Sequence, residues 1–82
     1  MQVKILTFAN LKEYSKDFTI KIEGKESVSL SIIKQKIIAE KPILEQFMDS
    51  LAFAVNQKYS KNDNQEINDL DEIALIPPVA GG

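Results

Sequence analysis

The sequence contains no cysteine and no histidine, and all ten of its basic residues are lysine. The two absences exclude disulfide bonds and zinc sites built on thiolate or imidazole ligands. They also leave the chain without a thiol nucleophile or an imidazole base. Because arginine is missing, the side chain best suited to bidentate contacts with phosphates and base edges is missing too, and no nucleic-acid partner is expected.

Long apolar runs are absent as well, so no segment is expected to cross a bilayer. No secretory signal is visible, because Met1 leads directly into a strand-like pattern. With 82 residues and a net charge of −2, the chain is expected to form one domain without a general attraction to nucleic acid or membranes. A cytoplasmic location is the expected setting.

What is present is a strong alternation of apolar and polar residues, which predicts β-strands. The predicted strands are residues 3–8, 18–23, 51–56, 58–60 and 72–76. One stretch instead has helical spacing, with Leu30, Ile33 and Ile37 on one side. Ser29 is its predicted N-cap, and Pro42 its stop. Ile32 and Ile38 are also expected in the core.

Two connecting segments complete the prediction. Asn10 is expected to cap a helical turn over residues 11–14, and residues 43–48 are expected to form another turn. The order of the main elements is then ββαβββ. A single long helix must cover one face of a mixed five-stranded sheet, since no other element is available to bury that face. This predicts an α+β fold.

The alternation also divides the sheet into two faces. Five apolar residues are expected to face the helix: Leu51, Phe53, Val55, Ile73 and Leu75. The opposite face has no helix to cover it, yet it is apolar: Leu6, Phe8, Ala52, Ala54, Ala74 and Ile76. Such a face often marks an interface. The alternative is that residues 43–48 cover it.

The last six residues are the most informative part of the chain. Pro77 and Pro78 have restricted φ angles and no N–H, so they end the sheet and favour an extended path. Val79 also prefers extension, and Gly81 and Gly82 have no side chains. Four residues beyond the second proline span roughly 13 Å when extended. This shape is suited to a narrow channel that leads into another protein's active site.

A terminal carboxyl group at Gly82 is ionised at neutral pH, because its ordinary pKa is about 3.5. It could attack the α-phosphate of ATP and become a reactive mixed anhydride with AMP. The predicted division is a folded domain at 1–76 and an extended, flexible tail at 77–82. The alternative is that Gly-Gly is only a loose chain end without a role.

Several stretches resemble the small (MoaD-type) subunit of molybdopterin synthase. The ending I-P-P-V-A-G-G is similar to the family's F-P-P-V-x-G-G. The opening V-K-I-L-T-F-A-N-L-K-E, the middle A-V-N-Q and the later D-E-I-A also match, in the same order along the chain. The resemblance implies the ubiquitin-like β-grasp fold.

The resemblance also implies a mechanism. An adenylating enzyme of the ubiquitin-activating type would use ATP to adenylate Gly82, and a sulfur donor protein would convert the adenylate to a thiocarboxylate. The tail would then enter the active site of the large subunit and give its sulfur to a cyclic pyranopterin precursor. The implied assembly is a heterotetramer. The small subunit would bind no cofactor, and it would act as a sulfurtransferase only as part of this heterotetramer.

The resemblance further assigns site residues. Gly82, preceded by Gly81, would carry the sulfur. Six residues would contact partners: Phe8, Tyr59, Ile76, Pro77, Pro78 and Val79. The chain departs from the family at Ile76, where an aromatic residue is usual, and at Leu70, where a glycine is frequent. A turn at Leu70 would lose its permissive residue.

Other interpretations stay open. The chain could serve another sulfur pathway, such as thiazole synthesis or tRNA thiolation, although carriers of the thiazole type generally lack the Pro-Pro-Val lead. It could also be a ubiquitin-like modifier or an interaction module. The acidic residues Asp69, Asp71 and Glu72 lack the spacing and the glycine of a calcium loop, which favours a solvated loop.

Overall fold

The computed structural model describes residues 1–24 and 27–78. Within these ranges seven strands are formed: β1 Gln2–Thr7, β2 Phe18–Lys21, β3 Ser27–Ser29, β4 Ala52–Val55, β5 Lys58–Ser60, β6 Glu66–Asn68 and β7 Glu72–Ile76. The helix α1 spans Leu30–Glu40, and two 3-10 segments span Ala9–Glu13 and Pro42–Ser50. No helix within the described ranges is long and apolar enough to cross a membrane.

Five of the strands form one mixed sheet in the order β2-β1-β7-β4-β5. The neighbours β1 and β7 are parallel, and the other neighbouring strands are antiparallel. With α1 on one face, this arrangement confirms the predicted α+β fold and its β-grasp order. A small second sheet pairs β3 with β6. It was not predicted, because each strand has only three residues and too few apolar positions to show an alternation.

The helix begins and ends where the sequence predicts. The hydroxyl of Ser29 accepts a hydrogen bond from the backbone N–H of Ile32 at 3.3 Å. The N–H of Lys41 closes the last turn on the carbonyl of Ile37 at 2.8 Å, and Pro42 follows with no N–H to continue it. The prediction that Ile32 belongs to the core is wrong, because it lies on the solvent side of α1 and is 36% exposed.

The core lies between α1 and one face of the sheet. The strands contribute Val3, Ile5, Ile20, Phe53, Val55, Ile73 and Leu75, all buried. From α1, Leu30, Ile33 and Ile37 belong to the same cluster, together with Ile67 of β6 and with Leu11 and Leu44 of the two 3-10 segments. The predicted facing of β4 and β7 is thereby confirmed, with Leu51 only partly buried at the margin.

The two 3-10 segments differ from the prediction in detail. Asn10 is not a cap: Phe8 occupies the N-cap position in extended conformation, and its carbonyl accepts the N–H of Leu11 at 3.1 Å. The segment Pro42–Ser50 inserts Leu44 fully into the core. The rings of Tyr14 and Phe47 lie 4.8 Å apart and join the two segments.

Candidate functional site

The candidate site is the outer face of the sheet, defined as the face turned away from α1. A single row of side chains crosses four strands there in register: Leu6 on β1, Ala74 on β7, Ala54 on β4 and Tyr59 on β5. The two alanines in the middle are nearly inaccessible, at 4% and 9% exposure. They therefore form the floor of a depression between larger side chains.

This depression, the alanine slot, has a volume of about 240 Å³. Eight of the described residues line it: Leu6, Phe8, Ala54, Gln57, Tyr59, Glu72, Ala74 and Ile76. No residue of the segment Pro42–Ser50 is among them, and its Leu44 lies in the core on the α1 side of the sheet. The alternative that residues 43–48 cover this face is therefore wrong.

Large apolar and aromatic side chains stand around the slot. Phe8 is 43% exposed and Tyr59 is 68% exposed, so both present ring surface to solvent. Ile76 is the last residue of β7, and it is followed by a partly buried Pro77 and an exposed Pro78. The structure thus gathers the three predicted contact residues around one cavity, at the point where the chain leaves the sheet.

The predicted carrier residue Gly82, with Gly81 and Val79, lies outside the described residues. Their assigned roles stay predictions. What the described part provides is the origin of the tail: β7 is the middle strand of the sheet, and its last residue, Ile76, lines the slot directly before Pro77.

The position of Phe8 is secured by the residue before it. The N–H of Thr7 donates to Asp17 Oδ1 at 2.9 Å, and its hydroxyl donates to the carbonyl of Ser15 at 2.9 Å. The backbone N–H of Thr7 holds the pKa of the Asp17 carboxyl below its usual value. Ala9 then turns the chain sharply with a φ of 51°. This role of Asp17 was not predicted, because its bond to Thr7 joins residues ten positions apart and no local pattern marks it.

The acidic residues at the opposite end of the sheet also bind within the chain. Asp71 accepts hydrogen bonds from Asn56 Nδ2 at 2.9 Å and from the N–H of Asn68 at 2.7 Å. Asp69 accepts the N–H of Gln2 at 2.7 Å. Over residues 1–24 and 27–78, no group of three or more potential metal ligands is assembled. These aspartates hold turns together.

Leu70 lies in one of those turns with a φ of 69°, the left-handed conformation that favours glycine. Its N–H donates to the carbonyl of Gln2 at 2.7 Å, and its side chain is 73% exposed. The turn therefore forms, with leucine at a position whose backbone conformation favours glycine. The hairpin turn at Asn56 and Gln57 also uses positive φ angles, 50° and 73°.

Known proteins are similar to this chain along nearly its whole length. The ThiS family model matches residues 5–82. A molybdopterin synthase sulfur carrier subunit from Chlamydomonas reinhardtii is 35% identical over 83 residues, covering 100% of both chains. A protein of the same description from Dictyostelium discoideum is 42% identical over 84 residues, covering 99% of this chain and 96% of the relative.

Two solved structures are also similar to this chain over its whole length. A chain of the complex of subunits 1 and 2 of molybdopterin-converting factor from Helicobacter pylori superposes with a TM-score of 0.78 at 32% identity, with full coverage of both chains. SAMP1 from Haloferax volcanii superposes with a TM-score of 0.84 at 21% identity, also with full coverage. The second likeness carries the fold alone.

Proposed function

This chain belongs to the ThiS family, and we propose that it is the sulfur carrier subunit of molybdopterin synthase, with the sulfur held on Gly82. Its likeness to sulfur carrier subunits along the whole chain supports the assignment. The Pro-Pro-Val lead and the Gly-Gly ending are residue types that favour the narrow, extended tip this chemistry needs.

The proposed chemistry has three steps. First, a carboxylate oxygen of Gly82 attacks the α-phosphorus of ATP on an adenylating enzyme, and pyrophosphate leaves. Second, hydrosulfide-level sulfur from a donor protein attacks the acyl carbon, and AMP leaves, so that a C–S bond replaces a C–O bond. Third, the thiocarboxylate sulfur attacks a carbon of the pyranopterin precursor and displaces an oxygen leaving group from it. Water then cleaves the acyl C–S bond, so that the sulfur stays on the precursor and Gly82 returns to its carboxylate. ATP is thus consumed by the partner enzyme.

The proposed partner at the third step is the large synthase subunit. The observation that carries this proposal is the continuity between the slot and the tail: Phe8, Tyr59 and Ile76 surround an open apolar cavity, and Pro77 and Pro78 leave from its margin. A partner seated on this face therefore lies beside the root of the tail, and Val79 would continue the contact into the partner. That the Helicobacter pylori neighbour occurs in a complex of two subunits supports this.

Intact-mass measurement tests the carrier chemistry. The purified chain is incubated with ATP, a molybdopterin-type adenylating enzyme and sulfide, beside a variant that lacks Gly82. We expect a mass increase equal to the replacement of one oxygen by one sulfur, present in the intact chain and absent from the variant. No increase, with the enzyme active on its own carrier, would reject the proposal. Transfer to the precursor after addition of the large subunit then distinguishes molybdopterin synthesis from other sulfur pathways.

A further inference from the structure

The two ends of the alanine slot differ in chemistry: one end has the carboxylate of Glu72, and the other has the apolar side chain of Ile76. The proposed function does not require this difference. We propose that it receives one large apolar side chain of the large subunit and that Glu72 pairs there with an adjacent lysine or arginine of the same partner. The inference rests on the proposed function for the identity of the partner. It adds the chemistry by which that partner is recognised, and Ala54, Ala74 and Glu72 as determinants of specificity.

The apolar half of the inference follows from side-chain size. Ala54 and Ala74 are direct neighbours across β4 and β7, and each has only a methyl group above the sheet. Leu6 and Tyr59 stand at the two ends of the same row and form the walls. A row with the sequence large, small, small, large is concave, and its apolar floor gains most from an apolar occupant that excludes water.

The charged half follows from Glu72, which lines the slot beside Gln57. Along β7 it shares the outer face with Ala74, and its backbone N–H is held by Asn56 Oδ1 at 2.9 Å. The two ion pairs within the described residues are Lys12–Asp17 and Lys34–Asp63, so neither involves this carboxylate. Lys4 is its register neighbour on β1 but does not line the slot. A partly buried carboxylate beside an apolar cavity favours a cationic partner group.

The two contacts together orient the partner. Glu72 begins β7, whereas Ile76 ends it next to the tail. An apolar side chain seated over Ala74 and a cation at Glu72 therefore define a direction along β7. A partner bound in that direction meets the root of the tail at a defined place, which a single apolar contact could not ensure.

Filling the slot tests the apolar half. We expect Ala74→Leu to weaken binding of the full chain to the large subunit at least about tenfold in titration calorimetry, because the added side chain occupies the space of the partner's. Ala39→Leu makes the same change on the exposed side of α1 and should bind within about twofold of the unaltered chain. Ala54→Leu is the second filling variant, in case the first does not fold by circular dichroism.

Reversing the charge tests the other half. Glu72→Lys should weaken binding about tenfold at low salt, and the difference from the unaltered chain should shrink as salt is raised. Glu40→Lys changes the net charge equally at an exposed position of α1 and should have little effect. If both charge reversals weaken binding equally, the specific pairing at Glu72 is wrong, because the net charge of the chain alone would then explain the loss of affinity.

The outcomes separate this inference from the proposed function. If folded Ala74→Leu and Ala54→Leu bind like the unaltered chain, the slot is empty in the complex and the inference is wrong, whereas the mass increase at Gly82 is unaffected. If the unaltered chain gains sulfur but does not bind the large subunit, the inference is also wrong and the carrier chemistry stands. Weakened binding by both slot variants and by Glu72→Lys, with normal sulfur loading, supports the inference.

Discussion

The two faces of the central sheet are built from the same strands but differ in kind. On the inner face, Ile5, Ile73 and Leu75 are fully buried beneath α1. On the outer face, Ala54 and Ala74 form a floor, and Phe8 and Tyr59 leave aromatic surface in solvent. The inner face is covered by α1 of the same chain, whereas the small residues of the outer face leave an open cavity. The difference agrees with our proposal that the inner face supports stability and the outer face binds a partner.

Neighbouring residues on β1 give the sharpest test of this difference and the largest expected effect. Ile5 is fully buried on the inner face, and Leu6 is partly buried on the outer face. Ile5→Ala should lower the free energy of unfolding by about 3 kcal/mol, because it leaves a cavity in the core. Leu6→Ala should lower it by about 1 kcal/mol, since its environment is partly aqueous. Urea unfolding measures both, and equal losses would remove the distinction between the faces.

The next test concerns two aromatic residues of similar exposure. Phe8 is 43% exposed on the outer face, and Tyr14 is 46% exposed beside Phe47. Phe8→Ala should weaken binding to the large subunit by about 2 kcal/mol, the size expected for an aromatic anchor in an interface. Tyr14→Ala should leave that binding unchanged, because its ring packs away from the slot. Titration calorimetry measures both, and the comparison fails if the two variants lose affinity equally.

A smaller effect is expected at Asp17, which holds the strand end that leads to Phe8. A lowered pKa in the folded state means that Asp17 stabilises the fold above its unfolded-state pKa of about 3.8, and that this contribution is lost as the pH falls through the folded value. Asp17→Asn should cost about 1 kcal/mol at neutral pH.

The same variant should show a weaker dependence of stability on pH below about 4, because the titrating group is gone. Thermal unfolding at several acidic and neutral pH values measures this. The control is Asp49→Asn, an exposed position, which should follow the unaltered chain throughout. A full acid dependence in Asp17→Asn would show that other carboxyl groups are responsible.

The smallest effect is expected at Leu70, at the end of the sheet farthest from the tail. Leu70→Gly should raise the free energy of unfolding by up to about 1 kcal/mol, because relief of the left-handed strain exceeds the added entropy of the unfolded chain. Leu70→Ala removes the exposed side chain and keeps the strain, so it should give no gain. Thermal unfolding decides between them, and a gain from alanine would point to the exposed leucine as the cause.

Much of the fold could be predicted because its signals are local. The capping hydroxyl of Ser29 and the spacing of Leu30, Ile33 and Ile37 lie within one short stretch, and both were confirmed. Asn10 misled the prediction, since a good capping residue does not form a cap when an extended Phe8 already supplies the carbonyl for the first turn. The strands β3 and β6 were missed because three mostly polar residues carry too weak a pattern.

By itself, the sequence determined which side chains share a face, because the period of two along a strand is a local property. The Pro-Pro-Val-Ala-Gly-Gly stretch indicated a carrier protein. Only the tertiary structure decided that Leu6, Ala74, Ala54 and Tyr59 form one row with a hollow in its middle. The same holds for the bond from Thr7 to Asp17. Register between strands is set by hydrogen bonds and packing between residues far apart in the chain, and no local pattern contains that information.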